Sequence, residues 1–290
     1  MVGLADIAAA TVDGILTGSI YAMVGVGLAL IWGVMEIINF AHGDYMMLGA
    51  LTAYYLFTLM GLDPLIGAVI AFGVVFVLGV ATQRGVINRI LDAPLLTQIA
   101  ATFAVLLIIR YGVQAAIGPY TRRITTWYAN VFYHVGPITL PLAKLIAFAA
   151  SLITALGLYI FLFKTDTGIA LRATSQNRQV AQLMGINVKK MYDIAFGLGV
   201  GIAGAAGAIL ALFYPIFPEM GAFFALIAFI VVVLGGFGSV FGAYLGGIII
   251  GLIESLSALY ITPALKDVVA FIIFLIILLF KPTGLFGKGE

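Results

Sequence analysis

Three side chains that donate, accept or carry charge, Asn39, His42 and Asp44, fall within six residues in INFAHGDYMMLG, Ile38 to Gly49. The stretch lies inside an apolar tract that runs from near Ile15 to about Met60. An ionised aspartate in hydrocarbon costs about 3 kcal/mol unless it faces a polar or wet interior. If Glu36 marks the cytoplasmic edge of the first span, His42 and Asp44 stand six and eight residues beyond it. That is about 9–12 Å along a helix at 1.5 Å per residue. Gly43, between them, permits a local break, and broken backbone at that depth is tolerated where it lines a cavity. The cluster therefore reads as an interrupted helix bordering a passage through the membrane. The alternative is a turn at the cytoplasmic boundary, with Asp44 capping the next helix.

Two other places carry charge inside apolar runs. Glu254, with Ser255 and Ser257, sits in the run 241–260 and reads either as structural or as part of the same passage. Arg110 stands about two turns from the outer end of its run and suits a structural ion pair or an outward-reaching side chain. Catalysis fits none of these: no second carboxylate follows at helical spacing, and His134 stands alone in an outer loop. No metal-ligand set is visible, and the absence of cysteine removes disulfides and thiolate sites.

The elements that must position these groups follow from composition. Of 290 residues, 63% are hydrophobic and 9% charged, against roughly 25% charged in a soluble domain. Such a chain cannot cover itself with a polar surface, so it belongs in a membrane. Its mean hydropathy is +1.20. The net charge of +2 suggests no nucleic-acid partner. No basic segment precedes the first apolar run, so no cleaved signal peptide is expected.

Long unbroken runs such as Val268–Phe280 lack the alternation of a barrel strand and predict helices. The fold expected is an all-α, polytopic helical bundle with about eight spans, near 14–34, 36–60, 65–88, 95–117, 139–163, 192–213, 241–260 and 264–281. The piece 223–234 is too short to cross alone and stands as a doubtful ninth, a half-helix or re-entrant hairpin. Lys and Arg between Lys164 and Lys190, Arg84 with Arg89, and Lys281 with Lys288 mark the cytoplasmic side. Parity then puts 61–64, 118–138 and the N-terminus outside. Arg122 and Arg123 break that pattern, and Tyr120, Trp127, Tyr128 and Tyr133 beside them suggest an interfacial aromatic belt. Glycines at helical spacing, Gly197 with Gly201 and the ladder Gly238, Gly242, Gly246, predict close helix crossings.

The connection KTDTGIALRATSQNRQVAQLMGINVKKM, residues 164–191, is long and basic. Asp166-Thr167 supplies an N-cap signal and Gly185 a helix stop, so one or two short amphipathic helices are expected. Such a helix rests on anionic headgroups or docks a cytoplasmic partner. GIALRATSQNRQVAQLMGINVKK followed by FGLGVGIAGAAGAILAL resembles the loop and next helix of the ABC-transporter permeases for branched-chain amino acids. GVGLALIWGVMEIINFAHGDYMMLGA, LGGFGSVFGAYLGG and the terminal FKPTGLFG resemble further segments of that family, in its order. Similarity is greatest to the first, LivH-type, of its two permease subunits, with urea and short-amide permeases as near relatives.

The resemblance implies one transmembrane domain over residues 1–290 in a bacterial inner membrane. It would transport branched-chain amino acids as an ATP-driven importer, with loop 164–191 coupling to two cytoplasmic ATPases. A second permease subunit and a periplasmic or lipid-anchored binding protein would complete it. By position in the loop, the ATPase-coupling residues would be Leu171, Arg172, Ala173, Gln176, Asn177, Ala181, Met184 and Gly185. The wider importer loop carries Glu-Ala-Ala, a glycine and Ile-x-Leu-Pro, of which this chain keeps Ala181 and Gly185. The path would involve Asn39, His42, Gly43, Asp44 and Glu254. The chain would hold no cofactor, since it lacks a phosphate-cradling G-x-x-x-x-G-K-[ST] and its Gly287-Lys288 is followed by glycine. A stand-alone secondary transporter or channel is the rival from another class, and it would need repeated broken helices with paired carboxylates.

Overall fold

A computed structural model of the chain describes residues 3–136, 138–281 and 283–286. Lys288 and the end of the terminal motif lie outside the described residues. Nine apolar helices dominate: α1 (Leu4–Met35), α2 (His42–Met60), α3 (Pro64–Gly85), α4 (Leu95–Ile117), α5 (Leu142–Lys164), α8 (Val188–Leu210), α9 (Met220–Gly235), α10 (Val240–Tyr260) and α11 (Lys266–Phe280). Two short helices, α6 (Asp166–Gln176) and α7 (Arg178–Leu183), fill the basic connection. The outer loop adds a hairpin, β1 (Phe132–Val135) paired antiparallel with β2 (Ile138–Pro141), which composition did not foretell.

Helix is the form that satisfies every backbone group within one segment, as hydrocarbon demands. The ends carry local signals. Asp63 accepts from the Leu65 amide at 2.8 Å, with Pro64 in the first turn of α3. Gly61 closes α2 in the left-handed region, at φ 66°.

Burial separates centre from rim. In α1, 89% of the apolar window is buried inside the protein, against 6% in α11. The exposed faces of α3, α4, α5 and α11 carry Val69, Val77, Ile108, Ile153, Leu156 and Leu279, which meet lipid tails at no cost.

Because lipid is as apolar as leucine, contact between helices comes from close fit rather than from expulsion of water. Glycine supplies that fit. A Cβ at Gly14 or Gly18 would strike the backbone of Gly251 or Gly247 in α10, and one at Gly49 the backbone of Gly204. Gly197 and Gly201 carry Phe76 and Phe72 of α3, while Gly242 and Gly246 abut Gly235 and Val231 of α9. Gly238 does not share that helical ladder: it lies before α10 at φ 76°, against Gly33. The Gly14–Gly18 seam with Gly247 and Gly251 was not singled out in the sequence, although its spacing is the same.

The doubtful ninth segment, 223–234, falls within α9 (Met220–Gly235). Its start lies at the outer side, where Gln114 donates to Glu219 and Ile216 pairs with Arg122. Its end lies at the inner side, where Phe237 packs on Trp32 at 4.6 Å between ring centroids. There too the Leu285 amide donates to the Leu234 carbonyl at 2.7 Å. So α9 runs from the outer to the inner side as one helix rather than as a hairpin. It crosses with 16 residues, about 24 Å, because it is enclosed by α1, α2 and α10 rather than by full-thickness lipid.

Replacing Gly251 by Leu should cost about 3 kcal/mol through overpacking and lower the unfolding temperature in detergent by several degrees. Gly73→Leu, where an added Cβ meets nothing within 4 Å, should leave it within a degree or two. Equal stability of the two variants in a thermal scan would refute the seam.

Candidate functional site

The chain leaves α1 at Met35, and Glu36 ends it in the left-handed region at φ 56°, the one non-glycine with positive φ among the described residues. Such a residue is strained and marks a constrained site. Residues 36–41 then run without regular helix, and Asn39, His42 and Asp44 are enclosed by protein, with 1%, 0% and 0% of their surface exposed.

Their partners fix the depth. His42 Nε2 lies 3.0 Å from the Val24 carbonyl, and because a carbonyl only accepts, that nitrogen carries the proton. Val24 precedes the end of α1 by eleven residues, about 16 Å. Arg110 donates from Nε and a terminal nitrogen to the two carboxylate oxygens of Asp44, at 2.9 Å each. Thr102, two turns earlier on α4, donates to the Ile38 carbonyl at 2.9 Å. The non-helical segment therefore packs beside α4 inside the protein, and α2 begins next to the middle of α1. Asp44 does not cap α2; it lies in the first turn, where the helix dipole favours an anion. Gly43 is there for space, since a Cβ would collide with the Gly221 carbonyl of α9.

Glu254 belongs to a second group. The Tyr21 hydroxyl donates to Glu254 Oε2 at 2.8 Å, and Lys266 Nζ stands 3.6 Å from the same oxygen. Ser255 donates to the Ala10 carbonyl and Ser257 to that of Ile253, so neither hydroxyl serves Glu254. A cavity of about 510 Å³ opens here on the outer side, between α1, α5, α9, α10 and the start of α11. The two polar groups share a wall: Tyr21 and Val24, which hold Glu254 and His42, are three residues apart on α1.

At the cytoplasmic end, Thr165 caps α6 by accepting from the Gly168 amide at 3.0 Å. The cap is thus one residue earlier than Asp166-Thr167, because Thr165 holds the extended backbone that a cap needs. Asn177 breaks the segment and caps α7, accepting from Gln179 and Val180. Gly185 closes α7 at φ 82°. Leu171 and Ala181 point into the bundle, Ala173 is half-buried, and Arg172 stacks 4.1 Å over the Phe163 ring. Gln176, Asn177, Met184 and Gly185 face out, as does Leu183, which is 86% exposed and stood outside the expected coupling set.

In the outer loop, Trp127 and Tyr120 are exposed, as interfacial aromatics are. Tyr128 is buried instead and donates to Asp63 at 3.0 Å. Burial, and then the carboxylate that accepts its proton, raise that phenol above its usual range. Among the described residues no group of His, Asp and Glu could hold a metal ion.

Breaking a buried pair from one side leaves an uncompensated charge and costs about 3–5 kcal/mol. Arg110→Gln should therefore destabilise the protein strongly, and the double variant Asp44→Asn/Arg110→Gln should recover part of the loss. Additive losses in a double-mutant cycle of unfolding temperatures would dismiss the pair as a stabilising contact.

Residues 10–278 match the family described as branched-chain amino acid transport system / permease component. The chain is similar to the high-affinity branched-chain amino acid transport system permease protein BraD of Pseudomonas aeruginosa, 28% identical over 96% of this chain and 95% of that one. It is similar at 28% identity to the permease protein LivH of Escherichia coli K12, over 96% and 94% of the two chains. To the probable branched-chain amino acid transport permease protein LivH of Methanocaldococcus jannaschii it is 32% identical over 94% and 90%. With nearly all of its bundle inside the matched region, this multi-pass membrane protein belongs to the branched-chain amino acid transport permease family.

Proposed function

We propose that the chain is the membrane-spanning permease subunit of an ATP-driven importer of branched-chain amino acids in a bacterial inner membrane. The observation that carries this reading is the family match across residues 10–278, since it takes in every crossing and the cytoplasmic segment together. In this reading a second permease subunit completes the path, two cytoplasmic ATPases supply the energy, and a periplasmic or lipid-anchored binding protein delivers the amino acid. The chain needs no cofactor of its own.

The cytoplasmic segment supports the division of labour. Leu171 and Ala181 anchor it to the bundle, while Leu183 and Met184 are apolar and bare at its tip. A cost-free resting place for such a pair is a partner's surface. Force applied there reaches the core along short links: Arg178 pairs with Asp92 at 3.1 Å before α4, and Arg84 at the end of α3 pairs with Asp193 of α8 at 2.7 Å. Both α3 and α8 pack against α2, which carries the buried polar segment.

The test is leucine uptake into proteoliposomes holding the complete complex, with ATP inside the inward-facing compartment. Uptake should need ATP and the ATPase subunits. Leu183→Glu/Met184→Glu should leave the permease in the membrane but cut uptake at least about tenfold, the effect of roughly 1.4 kcal/mol of lost docking. Uptake by the chain alone without ATP would replace this reading with that of a self-sufficient carrier.

A further inference from the structure

The outer cavity brings charged and aromatic side chains together. Its wall carries three carboxylates, Asp13, Glu254 and Asp267, and two ammonium groups, Lys144 and Lys266. Its remaining lining includes Phe213, Tyr214, Phe223 and Phe224. At about 510 Å³ it falls in the size range of small-molecule sites, roughly 300–1,000 Å³, which are typically apolar with a few convergent polar groups.

The charges are not uniformly satisfied. Asp13 and Lys144 pair with each other, and Lys144 also donates to Thr17 at 3.1 Å. Glu254 is different. Its side chain is 5% exposed, and Tyr21 and Lys266 both approach the same oxygen, Oε2. Asp267 Oδ1 is buried with no hydrogen bond, its nearest cation being Lys266 Nζ at 3.9 Å. Lys266 thus stands between two carboxylates without a close contact to either, at 3.6 and 3.9 Å. A buried carboxylate oxygen without a donor, as at Asp267 Oδ1, is costly unless a cation completes it.

We propose that this cavity is an outward-facing subsite for a free zwitterionic amino acid with an aliphatic side chain. Glu254 and Asp267 receive the ammonium group, Lys266 receives the carboxylate, and the aromatic wall of Tyr214, Phe223 and Phe224 takes the side chain. The site deepens the proposed transport function and rests on it for the choice of solute. It is separate from the segment at His42 and Asp44, which is closed in this conformation. Recognition of both charged ends explains why a mostly apolar chamber carries five ionisable groups, and it would reject solutes that lack either end.

The chain has no cysteine, so Ala258→Cys places a single thiol of this subunit in the cavity wall, with Thr17→Cys as a second position should the first fail to fold. The permease complex in proteoliposomes, with its other subunits made cysteine-free, is labelled from outside by a small cationic methanethiosulfonate. Leucine at roughly ten times its dissociation constant should slow labelling about tenfold by mass action. Isoamylamine and 4-methylpentanoate, which each lack one charged end, should not, and Glu254→Gln should abolish the protection by leucine. No labelling, no protection by leucine, or equal protection by 4-methylpentanoate would overturn the proposal. If ATP-driven leucine uptake persists in that case, the subsite fails alone; if protection is seen without ATP-dependent uptake, the transport reading fails and the subsite stands.

Discussion

The bidentate contact between Arg110 and Asp44 is the constraint around which the bundle is arranged. A chain that re-enters the hydrocarbon layer without helical hydrogen bonds must enclose its own polar groups, since lipid supplies no partners. The arginine on α4 neutralises the carboxylate at the head of α2, Thr102 of the same helix takes the Ile38 carbonyl, and Val24 of α1 takes the imidazole of His42. Three elements therefore have to meet around one irregular segment. That requirement explains why α4, exposed to lipid along most of its length, is nevertheless tied to the middle of the molecule.

The glycines make the enclosure possible. Helix α2 can start inside the bundle because Gly43 lets its first turn lie on the backbone of Gly221, and Gly49 lets it cross α8 at Gly204. A side chain at either place would move α2 away and open the polar segment to lipid. Packing and polar satisfaction are here the same problem. Close approach of backbones is what excludes lipid from the hydrogen bonds, and the hydrogen bonds hold the break in the helix at a fixed depth.

Much of this was legible in the chain itself, and the illegible parts have physical causes. The helical class followed from runs such as Val268–Phe280, and the cluster at Asn39, His42 and Asp44 stood out by its polarity within an apolar tract. Arg110 suited either an ion pair or an outward reach, and the choice was not legible because its partner lies 66 residues away and one sequence carries no distances. The segment of α9 stayed a doubtful ninth because 16 residues are short of a full span by length alone. Tyr128 looked like its exposed neighbour Trp127, since nothing local reveals that Asp63 waits for its hydroxyl. The aromatic and charged residues of the outer cavity come from five separate helices and the turn after α8, so no spacing in the chain hints at their meeting.

The shortness of α9 bears on the barrier that any solute faces. The outer cavity already reaches Phe224, near the top of that helix, and the helix ends at Gly235, eleven residues below. Only about 17 Å of packed protein separates the floor of the cavity from the cytoplasmic turn, little more than half the thickness of the surrounding hydrocarbon. A modest tilt of neighbouring helices thus has far less insulation to breach beside α9 than anywhere at the rim of the molecule.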